Sequence, residues 1–146
     1  VEVFDEDRHL GARAVRISTF LSLFDVHVNR SPVAGQIEKV EHSPGRKVFA
    51  FLDEASEVNE HSTILIRGGA GPCLVRQIVG PVARRVVTWV RAGDDVAEGA
   101  RIGIMKFGSR LDMYLPADRA EVLVKKGQKV RAGETVIARL RPEGVR

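Results

Sequence analysis

One ten-residue phrase occurs twice in the second half of this chain. Val90-Arg-Ala-Gly-Asp-Asp-Val-Ala-Glu-Gly99 and Val124-Lys-Lys-Gly-Gln-Lys-Val-Arg-Ala-Gly133 stand 34 residues apart. Each copy runs apolar, basic, small or basic, Gly, two polar, Val, two polar or small, Gly. That order predicts a strand, a glycine turn, an inward-facing valine and a second glycine turn into the next strand. Two copies are too few for a solenoid. A chain that turns this often buries its strands through hairpins. The expected class is therefore mainly β, an antiparallel sandwich-like or barrel-like domain with few short helices.

The remaining segments fit that class. β-rich runs are expected over Ala14–Leu23, Val33–Val40, Lys47–Leu52, Thr63–Arg67, Cys73–Val79, Val82–Val90, Ile102–Phe107 and Leu111–Leu115. In the first of these, Phe20, Leu21 and Phe24 also satisfy helical spacing, so an amphipathic surface helix competes with a strand. Turns are expected at His42-Ser-Pro-Gly45, at Gly68-Gly-Ala-Gly-Pro72 and at Gly80-Pro81. Val1–Gly11, with Glu2, Asp5, Glu6 and Asp7, reads as a loose acidic arm, and Asp53–Ser62 as a loop or short helix.

Composition narrows the function classes. At 146 residues and 44% hydrophobic content, one domain with a real core is expected. The net charge of +4 suits an anionic partner, either nucleic acid or a phospholipid surface. Aromatics make up 5% of the chain, which argues against nucleic acid, where bases stack on aromatic side chains. The single cysteine, Cys73, excludes an internal disulfide and a multi-cysteine zinc site, so no metal is expected; its apolar setting suits a buried structural thiol. No run of 18 apolar residues provides a membrane span.

Two places offer chemistry. Gly108-Ser109 lies between the apolar runs Ile102–Phe107 and Leu111–Leu115, where a turn is the plain reading. Asp25 and His27 are two residues apart, which on an extended backbone puts both side chains on one face. An imidazole there suits a base that later serves as an acid, or equally a locally hydrogen-bonded structural histidine. The basic pairs Arg84-Arg85 and Lys125-Lys126 are each able to face phosphates or to cover a solvated sheet edge.

The wording Phe107-Gly-Ser-Arg-Leu-Asp112, with Leu23-Phe-Asp-Val-His-Val-Asn-Arg-Ser-Pro32 upstream, resembles the phosphatidylserine decarboxylase family in its short prokaryotic form. His42-Ser-Pro-Gly45, Asn59-Glu60 and Gln77-Ile-Val-Gly80 follow in family order, so the resemblance covers roughly residues 15–140 of what would be one decarboxylase domain, 1–146. It implies a proenzyme that cuts itself between Gly108 and Ser109, with Ser109 becoming a covalent pyruvoyl cofactor and His27 serving both cleavage and catalysis. It further implies a serine phospholipid substrate, decarboxylated to the ethanolamine lipid. The two cleavage fragments would stay together as subunits, and a homo-oligomer is compatible with this. Peripheral attachment to the anionic cytoplasmic side of the cell membrane is expected, with the apolar Phe20–Phe24 patch contributing. The resemblance departs at one point. The family's Pro-x-Asp-Gly segment upstream of the histidine has no counterpart in Val1–Arg16, and Ala34 stands where Ser31–Gly35 would otherwise supply an acid. We expect an incomplete N-terminus, with Asp25 as the alternative orienting acid. The repeated glycine hairpin also occurs in lipoyl and biotinyl carrier domains. A carrier or binding module is therefore the second reading; Met105-Lys106 resembles a biotinylated lysine between methionines, with Phe107 in the second methionine position.

Overall fold

The computed structural model describes residues 2–6, 14–20, 28–43, 60–69, 71–78, 86–105, 110–131 and 135–141. Twelve strands run through them: β1 (Glu2–Glu6), β2 (Ala14–Phe20), β3 (Val28–Arg30), β4 (Gly35–Ser43), β5 (His61–Gly68), β6 (Gly71–Ile78), β7 (Val86–Thr88), β8 (Asp95–Val96), β9 (Arg101–Met105), β10 (Arg110–Pro116), β11 (Ala120–Val122) and β12 (Ala138–Leu140). No helix occurs among the described residues, so the expected short helices find no place there. Residues 53–59 of the loop-or-helix segment lie outside the described residues, and its last two, His61 and Ser62, begin β5.

Seven strands form one open antiparallel sheet in the order β1-β2-β10-β6-β5-β4-β8. A second sheet, β3-β9-β7, packs on its inner face, and β11 pairs with β12. The architecture is the expected antiparallel sandwich and no closed barrel forms among the described strands. Alternation along β2, β5 and β6 turns Val15, Ile17, Ile64, Ile66, Cys73 and Val75 inward, where Ile102 of β9 and Val124 complete the core. Burial of Cys73 pushes its thiol up to about 12, which leaves it an inert packing group.

The repeated phrase folds as the same turn twice. In Arg91–Asp94 and Lys125–Gln128 the fourth N–H donates to the first carbonyl, at 3.1 and 3.0 Å. The fourth side chain in turn accepts from the first N–H, at 2.9 Å to Asp94 and 3.1 Å to Gln128. The third residue is Gly93 or Gly127, with φ of +97° and +86°, as a type II turn requires. Val96 and Val130 are partly buried against the core rather than fully enclosed.

Three expectations need correction. The acidic N-terminal arm is in part a strand, since Glu2–Glu6 pairs with Ala14–Ser18 at the sheet edge. Backbone hydrogen bonds to a neighbour need no apolar side chains at an edge. His42 and Ser43, expected in a turn, extend β4 and pair with Ser62 and His61. The runs flanking Gly108-Ser109 are strands but not partners of each other. β9 pairs with β3 and β7, whereas β10 lies between β2 and β6. Residues 106–109 therefore connect one sheet to the other.

Candidate active site

His27, Asp25, Gly108, Ser109 and Lys106 lie outside the described residues, as do Arg84 and Arg85. The strands that adjoin them are described, and their pairing bears on the site. Val28, next in the chain after His27, pairs with Ile104, four residues before Gly108. In an antiparallel pair the start of one strand lies beside the end of the other. The chain thus enters β3 and leaves β9 at the same end of one ladder. On the other side of the junction, β10 opens with Arg110, directly after Ser109.

Arg110 and Asp112 fix the head of β10. Both are on the outer face of the large sheet, yet their exposures are 1% and 0%. Arg110 Nη2 donates to Asp112 Oδ2 at 3.0 Å. Its Nε lies 2.9 Å from Oδ1, an ionic contact without hydrogen-bond alignment. The guanidinium also stands 5.9 Å from the centre of the Phe20 ring, in the strand paired on one side. Phe20 is half-buried there, and the rest of the apolar patch expected over Phe20–Phe24 lies outside the described residues. Asp112 neutralises Arg110, so the pair contributes position rather than net charge. Breaking it would strand a buried ion, which makes the register of β10 costly to change.

A second polar cluster joins the two sheets. Gln77 of β6 donates through Nε2 to Asn29 Oδ1 of β3 at 2.7 Å, and more weakly to the Val87 carbonyl at 3.5 Å. Thr88 of β7 donates its hydroxyl to Gln77 Oε1 at 2.8 Å. The Ser62 and Thr88 hydroxyls are 2.8 Å apart, and since Thr88 has given its one proton to Gln77, Ser62 is the donor between them. Gly103 of β9 lies beneath this cluster; a Cβ there would collide with the Gln77 amide and the Val87 carbonyl. Gln77 is thus clamped onto Asn29, two residues beyond His27. The network holds β3, β7 and β9 in place against β6.

Two of the three softer matches to the family, the segments His42–Gly45, Asn59-Glu60 and Gln77–Gly80, also meet. His42 Nε2 is 2.8 Å from Glu60 Oε2 at the open end of β4 and β5. Next to this pair, a groove of about 720 Å³ opens on the outer face, with Lys39, His61, Thr63 and Arg76 among its polar lining and Leu65 and Leu74 on its floor. His61 is in register with Ile78, and Ile78 with Arg110, so the groove shares a cross-strand row with the head of β10. Arg76 is held in that lining by donating Nε to Thr63 Oγ1 at 3.1 Å. Sequence reasoning did not single out Asn29, Thr88, Arg110 or Asp112 as site supports. Asn29, Arg110 and Asp112 were nonetheless inside the two quoted phrases, and Gln77 was among the softer matches.

Comparison with known proteins places these elements in context. A family model described as phosphatidylserine decarboxylase matches residues 3–138. A phosphatidylserine decarboxylase proenzyme of Symbiobacterium thermophilum is 48% identical over 141 residues, covering 96% of this chain and 65% of the relative. One of Carboxydothermus hydrogenoformans is 48% identical over 137 residues, covering 94% and 64%. One of Erythrobacter litoralis is 52% identical over 130 residues, covering 88% and 52%. The chain spans less than two thirds of the length of these curated relatives. No solved structure gives a significant match.

Proposed function

The chain belongs to the phosphatidylserine decarboxylase family, and from that premise we propose that it is the catalytic part of a self-cleaving decarboxylase acting on phosphatidylserine or a related serine phospholipid. The observation that carries the reading is the pairing of Val28 with Ile104. It brings the strand that follows His27 beside the strand that leads to Gly108-Ser109, so one ladder serves both halves of the chemistry.

Ser109 Oγ attacks the Gly108 carbonyl carbon, and the amide becomes an ester as the amide nitrogen takes up a proton. His27 receives the hydroxyl proton as general base. The Arg110–Asp112 pair holds the following strand still while this bond changes. Loss of the Ser109 α-proton then expels the Gly108 carboxylate and leaves dehydroalanine. One water enters, one ammonia leaves, and the chain from 109 onward begins with a pyruvoyl group. Ser109 fits that origin chemically, being a β-hydroxy residue preceded by glycine and followed by an anchored strand. Such a group would supply a ketone able to condense with an amine and to act as an electron sink for decarboxylation. His27 returns a proton to the substrate carbon, and the groove beside Arg76 gives a polar approach along the sheet surface. Asp25, two residues before His27 in the sequence, is the alternative orienting acid within these residues.

No helix among the described residues is long and apolar enough to cross a membrane. We further propose that the protein attaches peripherally to the cytoplasmic membrane surface and that the fragments 1–108 and 109–146 remain associated as subunits. The carrier alternative rests on the glycine turns and Met105-Lys106, and the family match already accommodates the turns.

Intact mass of the Ser109→Ala protein tests the reading. The parent splits after Gly108 and the variant stays whole. Reductive trapping of cut parent with a serine phospholipid and cyanoborohydride adds mass to fragment 109–146 only. Splitting of Ser109→Ala at the same bond, or trapped mass on residues 1–108, overturns it.

A further inference from the structure

The basic character of this protein is not spread over it. Residues 1–116 hold fifteen Lys and Arg against fifteen Asp and Glu, whereas residues 117–146 hold eight against four, the whole net charge of +4. In the fold this segment is the β11–β12 ladder and the turn between its strands. Lys125, Lys126, Lys129, Arg131, Arg139 and Arg141 are all exposed on it. No ion pair ties the three lysines, Arg131 or Arg139 to a carboxylate among the described residues. Arg141 is directed to the Asp118 carbonyl at 2.7 Å.

Two of the three exposed large apolar side chains among the described residues are in the same lobe, Leu123 at 38% and Val136 at 64%. The Leu123 N–H donates to the Ile137 carbonyl at 2.9 Å, which brings Leu123 alongside the segment that carries Val136 into β12. Cations around exposed aliphatic groups suit the interface of an anionic bilayer, where the charges meet headgroups and the aliphatic tips meet the acyl boundary. A nucleic-acid surface would need aromatic platforms, and residues 117–146 contain no Phe, Trp or Tyr.

We propose that the β11–β12 lobe, with Lys125, Lys126 and Lys129 at its turn, is the surface by which this protein docks on anionic phospholipid bilayers. The inference deepens the peripheral-membrane part of the proposed function and does not depend on the decarboxylation chemistry. The lobe belongs to the 109–146 fragment, so docking would hold the Ser109-derived group to the bilayer through its own chain.

The test is co-sedimentation with vesicles of phosphatidylcholine and phosphatidylglycerol, which contain no serine lipid. The purified protein is compared with Lys125→Gln/Lys126→Gln/Lys129→Gln and with Arg67→Gln/Arg91→Gln/Arg101→Gln, which removes equal charge elsewhere. Each lysine near an anionic surface is worth about fivefold, so the lysine variant should partition on the order of a hundredfold more weakly. The arginine variant should stay close to the parent. Equal losses in both variants, or no loss in the lysine variant, overturn the assignment. Duplex DNA that binds as tightly as the vesicles at the same salt, and loses binding in the lysine variant, also overturns it, in favour of nucleic acid. Decarboxylation of serine lipid dispersed in neutral detergent is measured alongside. Retained activity with lost docking supports the lobe, while an inactive parent counts against the enzyme reading and leaves the vesicle result standing.

Discussion

Gly103→Ala should be among the most damaging single-methyl changes available to this fold. Gly103 is buried in β9 between Asn29 and Thr88, and a methyl group there meets the Gln77 amide and the Val87 carbonyl oxygen. Overpacking of a tight site costs about 1–3 kcal/mol. Displacing Gln77 also strands the buried Asn29 oxygen and removes the acceptor of Thr88, at about 1–3 kcal/mol. The sum expected is about 2–6 kcal/mol. Gln77→Ala alone loses the same hydrogen bonds and leaves a void, for about 2–4 kcal/mol. In the double variant the Gln77 contribution counts once, while the clash with the Val87 carbonyl remains. The two changes should therefore couple by about 1–2 kcal/mol in the favourable direction. Urea unfolding in a Ser109→Ala background, which should keep one uncut chain, gives all four stabilities. Additivity within about 0.5 kcal/mol would show that Gln77 and Gly103 do not share one site, and the account of the clamp would be wrong.

Two further outcomes are expected. Asp112→Asn should destabilise the uncut chain by about 3–5 kcal/mol by stranding a buried guanidinium, while Arg110→Met/Asp112→Leu should recover most of that loss in the same urea assay. A near-neutral Asp112→Asn would mean that the pair does not hold β10. His27→Ala should slow self-cleavage, followed by gel or intact mass, and abolish carbon dioxide release from whatever fraction is cut; normal turnover by that fraction would make the residue structural.

The strands were legible where their side chains alternate against a core, as in β2, β5 and β6, and the repeated turn was legible down to its glycines. Partners were not. Ile102–Phe107 and Leu111–Leu115 both look like apolar strands, but periodicity carries no record of which sheet a strand joins, and these two separate at residues 106–109. Glu2–Glu6 escaped notice because an edge strand is recruited by backbone hydrogen bonds, whatever its charge. Arg110 and Asp112 alternate like a solvated pair and are instead enclosed, a distinction made by tertiary packing and not by spacing. The chemistry-bearing phrases are recognisable because the order of their residues resembles that of a known family. Their supports at Asn29 and Thr88 are ordinary polar residues, distinguished only by what they touch.

β10 is hydrogen-bonded along one side to β2 and along the other to β6, both of which precede the proposed cleavage bond. Maturation at Gly108-Ser109 would thus turn an interior strand into a separate molecule without releasing it. Before the cut, folding is a one-body equilibrium whose midpoint ignores protein concentration. After it, unfolding separates two bodies, and the melting temperature would rise with concentration as mass action demands. The order of events would then be irreversible: a chain must fold before it cuts, because once cut its central strand could rejoin the sheet only by a second-order encounter.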